Sequence, residues 1–329
     1  MLHGIVMFSG GLDSVCATHL LMSQGLSVKA VYFSLPFYAG LGLEYRQVRK
    51  AAEKLGVSLM IVEEGEEFLG VVKAPEFGFG KNANPCVDCR IHRLGKVKKI
   101  MEAEGAAFIA TGEVVGQRPM SQRMDCLHKI ANHSGLKGII LRPLSAKLLP
   151  PTLAETNGMV DRQKLLGISG RSRKEQLAYA RKYDLIHGAP AGGCILTNEK
   201  TAERFMDLVR HTPDFALDDF RLLAWGRHFR LSPSCKLVVG RDDGENHVLQ
   251  KIASAEDRVL RLPRDIPGPL GIVRGSDAVA LIPASASLFS RYTRFKDDER
   301  CVVDVIQGEK KESVEVEPAT DGQCAACRL

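Results

Sequence analysis

No apolar run in this 329-residue chain approaches the roughly 18 residues needed to span a bilayer. Its opening stretch, MLHGIVMFSGG, is too short for a secretory signal, and no segment repeats internally. The balance of 45% hydrophobic and 26% charged residues excludes a disordered chain, a collagen-like repeat or a coiled coil. A cytoplasmic globular protein with no membrane partner is expected. At roughly 150 residues per domain, it should hold about two domains. Nine cysteines are present, and in a reducing compartment they should not build a disulfide framework. Any that cluster therefore need another explanation. The net charge of +6 is unevenly spread: residues 81–147 carry 12 Lys/Arg against 5 Asp/Glu, and residues 296–323 carry 4 against 9. The basic band points to a polyanionic partner, although a solvated surface helix gives a similar count.

The run Gly4–Phe8 is apolar and stops at Ser9-Gly10-Gly11. A helix-like spacing over Asp13–Gln24 follows, closed by Gly25, and then a second apolar run, Val28–Phe33. Strand, glycine turn, helix, glycine and strand predict a βαβ unit and a parallel sheet buried on both faces. The alternation recurs as helix 45–55 and strand 58–62, then helix 93–104 and strand 107–111. It predicts a doubly wound α/β sheet. Beyond residue 200 the texture changes. Residues 201–231 read as a helical connector. Short β-runs at 236–239, 258–262, 271–273 and 278–282 predict a second, smaller α+β domain over 232–309. Residues 310–329 read as an acidic tail without a core-forming pattern, ending in Cys324-Ala325-Ala326-Cys327.

Between the first strand and first helix stands Ser9-Gly10-Gly11-Leu12-Asp13-Ser14. Such glycines let backbone N–H groups approach a phosphate, the helix N-terminus adds about half a positive charge, and Ser9 and Ser14 offer hydroxyls. The Gly-Lys-Ser/Thr ending of the Walker loop is absent, as is the third glycine of the dinucleotide fingerprint. Asp13 is the informative residue, because a carboxylate beside a phosphate is repulsive unless Mg2+ lies between them. A plain strand–helix turn capped by Asp13 is the bland alternative.

This loop resembles the SGGxDS loop of the PP-loop ATP pyrophosphatases, which split ATP between the α and β phosphates and adenylate a substrate. Thr111-Gly112-Glu113, Gly116-Gln117 and Ser121-Gln122 are similar to the TGE…GQ…SQ stretch of tRNA 4-thiouridine synthetases. Asn84-Pro85-Cys86 resembles the NPC segment of tRNA 2-thiouridylases, and Leu141-Arg142-Pro143-Leu144 is similar to an RPL element of these enzymes. The resemblance covers roughly residues 4–200. It implies an adenine nucleotide alpha hydrolase-like fold over 1–200 and an ATP-dependent tRNA sulfurtransferase. In that activity a uracil carbonyl is adenylated and its oxygen replaced by sulfur. It further implies ATP and Mg2+ held by Ser9, Gly10, Gly11, Asp13 and Ser14, with Phe33, Gly112, Gln117 and Arg142 as further nucleotide-binding candidates. The implied partners are tRNA and a sulfur donor, either sulfide or a persulfide carrier, and a homodimer is compatible with this reading.

Cys86-Val87-Asp88-Cys89 is a CxxC, and Cys194 follows in Ala191-Gly192-Gly193-Cys194, where two glycines suit a loop. Three thiolates suffice for three corners of an iron–sulfur cluster, leaving one iron open. The spacing resembles the three-cysteine [4Fe-4S] site of several tRNA thiolases. On that reading Cys86, Cys89 and Cys194 are the cluster ligands and, with Asp13, the catalytic set. A metal-free persulfide and resolving pair, a zinc site completed by Cys324 and Cys327, and a set of inert thiols are the competing readings. The C-terminal dithiol has its own two readings, a tethered sulfur relay and a disordered end. Cys16 falls on the apolar face of the first helix and suits core packing, while Cys126, Cys235 and Cys301 show no partner pattern.

Glu113 is a candidate for contact with nucleotide or substrate, or a helix cap. Arg118, Arg142 and Lys147 are candidates to balance phosphate charge, and Gly167–Lys174 is a basic turn before a helix suited to an RNA backbone. Val239-Gly240-Arg241-Asp242, Glu245-Asn246 and Arg264-Asp265-Ile266-Pro267-Gly268 resemble the RNA-binding domain of NFACT proteins over roughly 236–274. That resemblance implies an RNA docking module, with Arg241, Arg258, Arg261, Arg264 and Arg274 near turns. Two other functions remain open: a PP-loop enzyme adenylating a small molecule, and a non-catalytic RNA-binding or Fe–S protein.

Overall fold

The computed structural model describes residues 1–39, 41, 45–188, 194–263, 266–297 and 299–329. The chain divides into two compact units, Met1–Leu35 with Gly42–Cys194, and Pro36–Leu41 with Ile195–Leu329. Among the described residues no helix is long and apolar enough to cross a membrane.

In the first unit the elements run β1 (Gly4–Met7), α1 (Leu12–Met22), β2 (Val28–Ser34), α2 (Arg46–Leu55), β3 (Ser58–Glu63), α3 (Glu67–Lys73), α4 (Cys86–Ala103), β4 (Phe108–Thr111), α5 (Met124–His133), β5 (Ile140–Leu141), α6 (Leu153–Thr156) and α7 (Lys174–Lys182). The strands form one parallel sheet in the order β3-β2-β1-β4-β5. Because side chains alternate along a strand, an all-apolar β1 must bury both faces. Val6 joins Val15, Leu21 and Ala51 on the side of α1 and α2, while Ile5 and Met7 join Leu94, Val97 and Ile130 on the side of α4 and α5. Helix α4 has no side-chain cap at Pro85, so burial has to hold it. Leu94 and Val97 are fully buried, at about 1.5–3 kcal/mol apiece. The order of connection reverses between β1 and β4. In open α/β sheets a ligand crevice forms at such a point, outside the carboxyl ends of the strands. The doubly wound sheet expected from the sequence is what forms.

The second unit continues with α8 (Glu199–His211), α9 (Leu217–Leu222), β6 (Arg227–Ser232), β7 (Cys235–Val239), α10 (Asp243–Ile252), β8 (Arg258–Arg261), β9 (Gly271–Arg274), α11 (Ile282–Ser290), β10 (Cys301–Gln307), β11 (Lys310–Val316) and α12 (Asp321–Cys327). Its antiparallel sheet runs β11-β10-β8-β9-β7-β6. Val238 and Ile272 pack with Val248 and Leu249 of α10, and the alternate residues Leu237 and Val273 pack with Ala286 and Phe289 of α11. Helices thus cover both faces.

Three expectations need correction here. Residues 278–282 are not a β-run: they turn and lead into α11, because Pro283 is compatible with a helix start and would remove a donor from a strand. The last residues of the presumed connector 201–231 belong to strand β6, which pairs with β7. The presumed tail 310–329 forms β11 and α12. Its charged side chains line an exposed edge strand, registered with β10 from Cys301↔Val316 to Gln307↔Lys310, and Cys324 is buried in the core. Edge strands are a usual place for such charge, which is why composition concealed the strand.

Candidate active site

Gly11 stands at the N-cap of α1, and Asp13 lies in the first turn. Gly10 adopts φ +70, and a Cβ there would stand 3.0 Å from the Val48 backbone, so position and conformation both favour glycine. The two serines brace the turn. The Ser9 and Ser14 hydroxyls are 3.1 Å apart, Ser9 N donates to Ser14 Oγ at 3.2 Å, and Ser14 Oγ donates to the Gly11 carbonyl at 3.0 Å. The backbone at the start of α1 is thereby held in a concave turn at the switch point of the sheet. The next segment, His187-Gly188, returns to this turn, where Gly188 N donates to the Gly10 carbonyl at 2.7 Å.

Gly112 directly follows β4, and its role is close approach. A Cβ there would lie 2.6 Å from Ser14 N and 2.7 Å from the Asp13 carbonyl carbon. Only glycine lets the end of β4 press against the start of α1. The chain from Thr111 to Gln117 then links two groups of residues. On one side Gln117 Nε2 donates to Asp13 Oδ2 at 2.6 Å, and Gln176 Nε2 donates to Gln117 Oε1 at 3.1 Å. Asp13 Oδ1 is buried without a hydrogen-bond partner. On the other side Glu113, 2% exposed, lies between Arg90 Nε at 3.1 Å and Arg142 Nε at 3.0 Å, and Thr111 Oγ1 donates to it at 3.1 Å. Burial alone would raise the Glu113 carboxyl. The two guanidiniums outweigh it and hold the carboxyl below its usual range. Glu113 is therefore an internal counter-ion rather than a helix cap.

Arg90 belongs to a stripe on α4. Cys86, Cys89, Arg90 and Arg93 occupy positions i, i+3, i+4 and i+7, one face of the helix. Asn84 Nδ2 donates to Cys86 Sγ at 3.2 Å. Arg93 grips the fully buried Glu64 through Nε at 3.0 Å and Nη2 at 2.5 Å, and its guanidinium lies 5.4 Å from the centre of the Phe33 ring. His92 approaches the same carboxylate at 3.6 Å, and burial lowers its pKa. Burial also pushes the Cys89 thiol up, with Arg93 opposing and with Glu64 and Cys86 adding to the rise. Cys89 and Cys194 both act on Arg93, whose pKa is raised against the opposing effect of burial. Cys89 and Cys194, separated by 105 residues in the sequence, thus both lie within the electrostatic reach of one guanidinium. Glu64, Arg90 and Arg93 did not figure among the sequence-derived candidates, although the CxxC-Arg-x-x-Arg run on one helix face was a signal for two of them.

Among the described residues no group of three or more His, Cys, Asp or Glu is arranged to hold a metal ion. Phe33 is a core residue beneath Arg93, and Arg142 is a buried ion-pair partner with Nη2 unpartnered. Arg118 and Lys147 are exposed. The basic turn lies against the same connecting segment, since Gly170 N donates to the Val115 carbonyl at 2.8 Å. Cys16 is fully buried, and burial followed by Asp13 pushes its thiol up to about 12, as suits a core position. Cys324 is buried in the second unit and Cys327 half-buried on the same helix. The glycines before Cys194 and the Arg264-Asp265 pair lie outside the described residues.

A braced Ser-Gly-Gly-x-Asp-Ser turn at the switch point of a 3-2-1-4-5 parallel sheet defines the PP-loop class of nucleotide-binding α/β domains. Comparison with known families agrees. Residues 2–147 match the family model of Thiamine biosynthesis protein (ThiI), and residues 226–327 match that of the NFACT protein RNA binding domain. Two segments of the chain thus resemble two different families, one a ThiI-type PP-loop domain and the other an NFACT-type domain. It is 33% identical over 144 residues to the tRNA-specific 2-thiouridylase MnmA of Syntrophotalea carbinolica, covering 41% of this chain and 37% of that protein. It is 28% identical over 150 residues to a probable tRNA sulfurtransferase of Methanothermobacter thermautotrophicus, covering 43% and 36%. The aligned region spans roughly a third to two fifths of the length of such relatives. Solved structures with some likeness include a 4-thiouridine synthetase–RNA complex with bound ATP, at TM-score 0.41 and 20% identity over 67% of this chain and 52% of that one. Another is the U34-tRNA thiolase NcsA from Methanococcus maripaludis with its [4Fe-4S] cluster, at TM-score 0.31 and 17% identity over 68% and 70%.

Proposed function

We propose that the chain is an ATP-dependent tRNA sulfurtransferase that makes thiouridine. The observation that carries this reading is the network running from Asp13 through Gln117 to the segment whose Glu113 pairs with Arg90 on the cysteine helix. On this reading it links the nucleotide loop to the helix that carries Cys86 and Cys89.

The backbone and hydroxyls of Ser9–Ser14 hold the triphosphate. Asp13 Oδ1, buried and unpartnered, suits Mg2+ in chemistry and position, since a hard cation takes carboxylate oxygen. With the nucleotide so oriented, a uracil carbonyl oxygen attacks the α-phosphorus and pyrophosphate leaves. A sulfur nucleophile then attacks the activated carbon and AMP departs. The surplus guanidinium charge of Arg90 and Arg142 around one Glu113 carboxylate favours an anionic transition state. Cys86, Cys89 and Cys194 fit a [4Fe-4S] cluster in donor chemistry: all three are soft thiols, Cys86 and Cys89 in the first turn of α4 and Cys89 and Cys194 within the field of Arg93, although they are not gathered as a metal site here. These three residues would hold the cluster, which when bound offers an open iron able to carry sulfide. The sulfur donor on this reading is sulfide or a persulfide carrier.

The test is ATP–pyrophosphate exchange with and without tRNA, together with mass spectrometry of tRNA nucleosides. RNA-dependent exchange and a new thiouridine are expected. Full exchange without RNA would overturn tRNA as the substrate in favour of a small molecule. No ATP turnover by anaerobically prepared protein with tRNA present would overturn the enzyme.

A further inference from the structure

The second unit carries guanidinium groups that have no ion-pair partner among the described residues. Arg227 opens β6, Arg328 directly follows α12, and Arg204 lies on α8. Several other arginines of this unit are paired. Arg230 is held by Asp207, Arg241 by Glu245 and Arg274 by Asp219 and Asp257. Arg204, Arg227 and Arg328 make no ion pair among the described residues.

The three are also neighbours. Arg328 is bridged to Phe229 on β6, two residues beyond Arg227. Arg227 Nη1 donates to the carbonyl of Gly240 at 3.2 Å, beside Arg241. Arg204 lies in the field of both Arg241 and Arg328. Its Nη1 donates to the Leu223 carbonyl at 3.2 Å, and its Nε is buried with no hydrogen-bond partner. Glu245 and Glu203 offset part of that field, but Glu245 is paired with Arg241 and Glu203 lies on the surface, while Asp242 caps α10. Holding like charges together costs free energy that an anionic partner returns.

An aromatic ring adds a second kind of chemistry. The Arg227 guanidinium lies 4.8 Å from the centre of the half-buried Tyr292 ring. A guanidinium stacked on a ring is a flat platform, and unstacked nucleobases settle on such platforms while their phosphates seek cations.

We propose that Arg204, Arg227 and Arg328, with Tyr292, form the surface on which this unit holds an RNA strand, guanidiniums on phosphates and a base on the Arg227–Tyr292 platform. This rests on the reading of RNA as substrate and assigns it residues.

The experiment measures anisotropy of labelled tRNA and labelled oligouridine on the full chain across a salt series, in parallel with ATP–pyrophosphate exchange. Arg328→Ala and Arg227→Ala each reduce the salt slope of single-strand binding by about 0.7. Tyr292→Leu weakens oligouridine binding by about tenfold and leaves the slope unchanged. Arg300→Ala, which removes an exposed partner of Glu315, changes neither. Arg328 is exposed, so its variant tests the surface without threatening the fold. Parent-like slopes in the Arg227 and Arg328 variants would overturn the surface while leaving the substrate reading intact. Failure of the parent chain to bind any RNA would overturn both. Equal slope losses with duplex DNA, and no effect of Tyr292→Leu, would reduce the patch to a general polyanion site and refute the strand-binding role.

Discussion

Replacing Glu113 by Gln isolates the ion-pair network at the centre of the site. The substitution keeps the shape and removes one negative charge between two guanidiniums, at 3.1 Å on Arg90 and 3.0 Å on Arg142. Arg142 is 6% exposed, so it cannot turn to water when its partner is neutralised. Breaking one partner of a buried pair costs about 3–5 kcal/mol. For a unit of this size each kcal/mol shifts the melting temperature by about 2–4 °C, so a fall of roughly 6–20 °C is expected. Differential scanning calorimetry or far-ultraviolet melting reads it. The pH dependence supplies a second check. The folded carboxyl is depressed, so its contribution is fully present above the unfolded value of about 4.3 and is lost as pH falls through the lower folded value. Glu113→Gln should therefore lose most of its stability deficit in strong acid. The double variant Glu113→Gln/Arg142→Met, which removes the stranded cation as well, should recover part of the loss. A single variant melting within about 1 °C of the parent at neutral pH would refute the claim that Glu113 is a structural counter-ion.

Three further outcomes follow from the same geometry. Gly112→Ala pushes a methyl onto the backbone of Ser14, costing about 1–3 kcal/mol and raising the KM for ATP; an unchanged KM would show that the contact between β4 and α1 does not shape the loop. Asp13→Asn retains the shape at Gln117 but loses the charge beside Oδ1, and should lower ATP–pyrophosphate exchange by about a hundredfold with little change in melting temperature. Cys86→Ala, Cys89→Ala and Cys194→Ala should each abolish thiouridine formation, scored by nucleoside mass spectrometry, while pyrophosphate exchange persists; full thiolation by Cys194→Ala would remove it from the sulfur site.

The local elements of the site were legible because each has a short-range cause. Glycines at 10 and 11 between an apolar strand and a largely buried helix specify a turn, and that turn is where they lie. Gly112 was legible as a candidate, but its reason was not, because the clash with Ser14 N spans about a hundred residues of chain. Arg142 was legible as a cation, but its pairing with the buried Glu113 was not. A guanidinium looks the same in sequence whether a carboxylate faces it or water does. The terminal strand Lys310–Val316 was missed for a related reason: an edge strand needs an apolar pattern only where it meets the core.

The amino-acid sequence alone determined the period of burial, the SGGLDS turn and the separation of two kinds of texture near residue 200, since all depend on neighbours within a few residues. It could count nine cysteines and mark two CxxC pairs. Only the tertiary structure decided their company. Cys194 lies within the electrostatic field of Arg93 on α4, while Cys16 and Cys324 are folded into cores. Partnership between charges, and between a charge and a thiol, is fixed by distance through space, and in a doubly wound fold that distance is set by strand order rather than by separation along the chain.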